Sequence, residues 1–102
     1  MNSSHGLSEA QLAEVTRIFS RFPKIERVVL FGSRAQGDFK RGADVDLAIH
    51  GQETNYSLAA EVKHSLEEET LLPYFFDVVP YSHSPEALRN RIDQHGVVIY
   101  EQ

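Results

Sequence analysis

The chain of 102 residues has no cysteine and no tryptophan. Without thiols there is no disulfide framework, no zinc–thiolate site and no sulfur nucleophile, so any chemistry must use oxygen, nitrogen and backbone groups. No apolar run approaches the roughly 20 residues that a membrane-crossing helix needs. The polar opening MNSSHG lacks the apolar centre of a secretory signal, so a cytoplasmic protein with no membrane association is expected. Basic residues are also scarce, with 10 Lys and Arg against 15 Asp and Glu and a formal net charge of −5. Such a domain has no broad cationic face to follow a nucleic-acid backbone, and no direct nucleic-acid partner is expected. The cations near the centre, Arg34, Lys40 and Arg41, form a local patch suited to one small polyphosphate. The length allows a single domain over residues 1–102 with one modest core.

Residues 1–6 read as a flexible tail. Ser8 and Gln11 form a capping box, with Leu7 and Leu12 as a hydrophobic staple. Leu12, Val15, Ile18, Phe19 and Phe22 then keep helical spacing until Pro23. An apolar, β-branched run at residues 26–31 predicts a first strand, and residues 45–49 predict a second. Thr54 or Asn55 caps a second helix with Leu58, Val62, Ser65 and Leu66 inward. Residues 74–79 predict a third strand, ended by Pro80. Ser84, Pro85 and Glu86 supply an N-cap, a first-turn proline and a first-turn acid for a third helix that stops at Gly96. Residues 97–100 form a short last strand. The sequence therefore predicts an α/β (α+β) fold, a small mixed β-sheet packed with helices.

Chemistry concentrates between Val28 and His50. The first strand stops at Gly32-Ser33, where glycine lets a phosphate approach the backbone. A short helical turn starting at Ser33 would aim free N–H groups at an anion, with the Ser33 hydroxyl and the Arg34 charge beside them. Asp44 and Asp46 lie two apart on an extended segment, hence on one side of it, and repel unless a cation sits between them. Asp77 stands among Phe75, Phe76, Val78 and Val79, where a lone carboxylate is costly to bury. If the third strand lies beside the second, the three acids converge. An oxygen-only site of that kind suits Mg²⁺ or Mn²⁺, and three aspartates have the capacity for two ions. Each feature alone has an ordinary explanation: a turn, an exposed acid, an acid satisfied by backbone donors. Their combination favours a phosphate and metal site.

Gly32-Ser33, the spacer from Arg34 to Ala43, Asp44-Val45-Asp46 and the later Asp77 resemble the signature of the DNA polymerase beta-like nucleotidyltransferase superfamily. The whole chain resembles its minimal nucleotidyltransferase (MNT) group, the small member of HEPN–MNT two-protein modules. The resemblance implies a nucleotidyltransferase fold, with Gly32, Ser33 and Arg34 holding a nucleoside triphosphate. It implies Asp44, Asp46 and Asp77 as metal ligands and catalytic residues, with two Mg²⁺ or Mn²⁺ ions and ATP as substrate. The reaction implied is transfer of AMP to a hydroxyl, a tyrosine of an all-helical HEPN ribonuclease partner, within a homo- or hetero-oligomer. The alternative is a non-catalytic module that neutralises its partner by binding. Ala43 and Gln36 stand where many members carry serine and arginine.

Overall fold

Local rules written in the sequence set the first helix of this computed structural model, which describes residues 5–40 and 42–102. The Ser8 hydroxyl accepts from the Gln11 N–H at 3.1 Å, and the Gln11 carboxamide oxygen accepts from the Ser8 N–H at 3.0 Å. This reciprocal box satisfies two of the free donors at the start of α1 (Glu9–Phe19). Val15, Ile18 and Phe19 are its buried stripe. The helix ends before Phe22, whose N–H turns back to the Phe19 carbonyl.

The remaining elements are β1 (Arg27–Phe31), β2 (Val45–His50), α2 (Tyr56–Glu68), β3 (Phe76–Pro80), a 3₁₀ turn (Tyr81–His83), α3 (Glu86–His95) and β4 (Val97–Glu101). The strands form one mixed sheet in the order β3-β2-β1-β4. β1 runs antiparallel to both β2 and β4, whereas β2 and β3 are parallel. Parallel neighbours need a crossover, and α2 supplies it after Asn55, whose side chain accepts from the Leu58 N–H at 2.8 Å.

Strand alternation sorts the side chains between two faces. Val28, Leu30, Val45, Leu47, Ile49, Phe76 and Val78 pack with α1 and α2 into the main core. The other face is thinner. Val29 and Ala48 are buried with Ile92 of α3, flanked by half-buried Phe31, Val79, Tyr81 and Leu88. Tyr81 fastens α3 there, because its hydroxyl donates to Asp93 at 2.7 and 2.8 Å while its ring stacks on His50 at 4.2 Å. Burial first, and then the nearby Arg27 charge, hold the His50 imidazole below its usual pKa.

Three expectations are corrected. Ser84 does not cap α3: the N-cap is Pro85, and the Ser84 hydroxyl donates to the Pro80 carbonyl at 3.0 Å. The third strand begins at Phe76, and Tyr74 turns aside, its hydroxyl donating to Gln11 at 3.2 Å. His5, expected in the tail, is buried, and its carbonyl accepts from Arg34 at 2.9 Å. Residues 1–4 and Arg41, the latter part of the expected cationic patch, lie outside the described residues. No helix among the described residues is long and apolar enough to cross a membrane.

Candidate functional site

β2 carries Asp46 and β3 carries Asp77, and the two are direct partners in the parallel register. Register partners project from the same face, so both carboxylates lie on the α3 side of the sheet. On its other flank Asp46 pairs with Phe31, the last residue of β1, which sets Gly32 against it. Asp44 sits just ahead of β2, exposed. The half-buried Asp46 carboxyl is pushed up to about 6, first by burial, then by the charge of Asp77, then by that of Asp44.

Gly32 has a positive φ of 78°. A Cβ on it would overlap the Asp46 Oδ2 atom. Glycine is therefore needed twice here, for the left-handed backbone and for the carboxylate pressed against it. The segment after it makes one turn only: the Gln36 N–H reaches the Gly32 carbonyl at 3.3 Å and the Asp38 N–H reaches the Ser33 carbonyl at 3.0 Å. Gly37, at φ 74°, ends that turn in the manner of a left-handed helix cap. The short helical turn expected from Ser33 is present, without the dipole of a full helix. Ser33 itself is exposed.

Arg34 has a different job from the one its position suggested. It is 2% exposed. Its Nη1 donates to the His5 carbonyl at 2.9 Å and its Nε to the Ala43 carbonyl at 3.0 Å. The guanidinium also lies over the Phe39 ring at 4.5 Å and the Tyr74 ring at 4.6 Å. Two donors and two aromatic contacts are committed to the protein, so Arg34 braces the loop from inside the fold.

Asp46 and Asp77 open into a cleft of about 370 Å³. Phe31, Val79 and Leu88 line it as apolar surface, and Gly32 and Gln36 come from the glycine loop. The wall contributed by α3 adds Arg91 and His95, which sequence reasoning missed. Their signal was available: they fall three and seven residues after Leu88, on the edge of the stripe that Ile92 centres. His83, past β3, is exposed, and its carbonyl accepts from Tyr56 at 3.1 Å.

Among the described residues neither Asp46 nor Asp77 forms a salt bridge. Nor do three acidic or imidazole side chains there gather into a ready metal cluster. Asp46 and Asp77 are direct register partners, and Asp44 stands two residues before Asp46, just ahead of β2. Two hard-oxygen ligands without a counter-charge fit Mg²⁺ or Mn²⁺, since magnesium commonly takes one or two carboxylates and completes its shell with water and substrate phosphates.

Residues 13–102 match the family described as Polymerase beta, Nucleotidyltransferase. The probable protein adenylyltransferase MntA of Haemophilus influenzae is 31% identical over 96 residues, covering 94% of this chain and 84% of the relative. Two solved structures share the fold. One is a toxin–antitoxin with AMP-PNP, at TM-score 0.74 and 23% identity, covering 94% of this chain and 75% of that one. The other is tri-AMPylated Shewanella oneidensis HEPN toxin in complex with MNT antitoxin, at TM-score 0.68 and 17% identity, covering 89% and 70%.

Proposed function

The chain belongs to the polymerase beta nucleotidyltransferase family, and from that membership we propose that it transfers AMP from ATP to a tyrosine hydroxyl of an all-helical HEPN toxin. The observation that carries this reading is the adjacency of Asp46 and Asp77 beside the Gly32-Ser33 turn. An enzyme that moves an AMP unit needs a place for the phosphate chain next to hard-oxygen ligands, and the cleft brings these together. The similarity to a probable protein adenylyltransferase supports a protein as acceptor. The fold shared with a complex containing AMPylated HEPN toxin supports the kind of partner.

In this reading Gly32 and Ser33 hold the phosphates, the glycine by exposing backbone and Ser33 by its hydroxyl. Asp46 and Asp77, with Asp44 near them, hold Mg²⁺ or Mn²⁺. When bound, the metal supplies charge neutralisation for the phosphates and favours the ionised acceptor. Asp77, exposed at the mouth of the cleft, is placed to draw the proton from the incoming tyrosine hydroxyl. That oxygen attacks the α-phosphorus in line, the bond to the bridging oxygen breaks, and pyrophosphate leaves. We place the reaction in the cytoplasm, where ATP and a ribonuclease target coexist.

The test is direct. The chain, its partner and Mg–ATP are mixed, and intact-mass spectrometry of the partner is expected to gain whole AMP units. A stable complex with no transfer from any nucleotide would leave a binding module in place of an enzyme.

A further inference from the structure

We propose that Arg91 on α3 is the anion ligand of the cleft, binding the β- and γ-phosphates of the nucleoside triphosphate and the pyrophosphate that leaves, with His95 as its flanking donor. The inference rests on the nucleotidyl-transfer reading above and adds to the glycine loop's hold on the phosphates a formal positive charge, which the loop residues lining the cleft do not carry.

A triphosphate brings about four negative charges into a cleft that already carries Asp46 and Asp77. The arginine expected to balance them, Arg34, is sealed behind the loop with two donors on backbone carbonyls. Among the described residues that line the cleft, Arg91 is the one permanently charged cation. Its side chain is exposed and makes no ion pair or hydrogen bond among the described residues, so it is not held by another task.

The neighbours on α3 sharpen the contrast. Arg89 donates to the Ser84 carbonyl at 3.0 Å. Asp93, the acid two residues on, accepts from the Tyr81 hydroxyl with both oxygens. Arg91 keeps its fork of donors open towards the cleft, and a guanidinium fork matches paired phosphate oxygens. His95, one turn further along, lines the same wall. The phosphate chain would lie between the Gly32-Ser33 turn and α3, its α end beside Asp46 and Asp77.

The experiment compares ATP and AMP binding by calorimetry in Mg²⁺ for the unsubstituted chain, Arg91→Ala and Arg91→Lys. Arg91→Ala is expected to weaken ATP about tenfold or more while AMP affinity stays constant, because AMP lacks the phosphates Arg91 would hold. Arg91→Lys is expected to recover part of the loss. In transfer assays the KM for ATP rises while the KM for the partner does not, with the melting temperature unchanged. Equal ATP affinity in Arg91→Ala, with the unsubstituted chain active, overturns this inference alone. Equal losses for ATP and AMP overturn it as well, since they indicate a general effect on the cleft. An unsubstituted chain that neither binds ATP nor transfers AMP overturns both this inference and the reading beneath it.

Discussion

The two faces of the sheet are built differently, although the same three strands, β1, β2 and β3, supply both. Among the described residues, one face seals fifteen buried hydrophobics with α1 and α2, and the other buries only Val29, Ala48 and Ile92. On β2 the division runs residue by residue: Val45, Leu47 and Ile49 point into the thick side, whereas Asp46 and His50 point to the thin one. Stability is concentrated where cover is complete. The acids sit where α3 leaves part of the sheet uncovered, and the gap is the cleft. A carboxylate at Asp46 would be intolerable on the thick face, where no solvent could share its charge.

That division can be attacked from the site outwards. Asp77→Asn is expected to lower AMP transfer at least a thousandfold, about 4 kcal/mol of barrier, while the partner complex still forms on a sizing column. If the Asp46→Asn, Asp77→Asn double variant protects cells from the partner as well as the unsubstituted chain does, binding and not transfer is what matters. On the thick face, Leu47→Ala is expected to cost about 2–5 kcal/mol in urea titration, because the residue is fully buried and its neighbours cannot close the cavity. A cost below about 1 kcal/mol would erase the contrast between the faces.

Arg34→Ala comes next, at about 2–3 kcal/mol of lost stability from one buried and one part-buried hydrogen bond and two aromatic contacts. An unchanged melting temperature with weakened ATP binding would return Arg34 to the phosphates. The smallest effect has the opposite sign. Asp46 binds its proton more tightly folded, near pH 6, than unfolded, near 4, so stability falls as pH rises through that window and the penalty is complete above it. Asp46→Asn is therefore expected to stabilise the metal-free protein by about 1–2 kcal/mol at pH 7, an advantage that disappears below about pH 4. A pH-independent melting difference between the two would mean that Asp46 is satisfied in the fold.

Much of this architecture can be read before folding, because it is local. The Ser8–Gln11 box, the Asn55 cap, the alternation along β2 and the stop at Gly96 each depend on residues within a turn or a pleat of one another. The side on which Asp77 projects also follows from alternation, once β3 is laid beside β2. What escapes is set by distant partners. Arg34 could point either way out of its loop, and it turns inward because Phe39, Tyr74 and the His5 carbonyl, drawn from three separate stretches, enclose it. Arg91 belongs to the cleft only because α3 crosses the face that carries the acids. The turn expected from Ser33 stays short for a reason within reach, since Gly37 takes the left-handed conformation that ends it.

The guanidinium of Arg34 ties together the backbone at residue 5, the far end of the glycine loop at residue 43 and, through Tyr74, the lead into the strand that carries Asp77. Tension applied to any one of these three threads is felt by the others. A purification tag fused ahead of His5 would therefore pull on the glycine loop, and tag-free and tagged preparations are expected to differ in turnover.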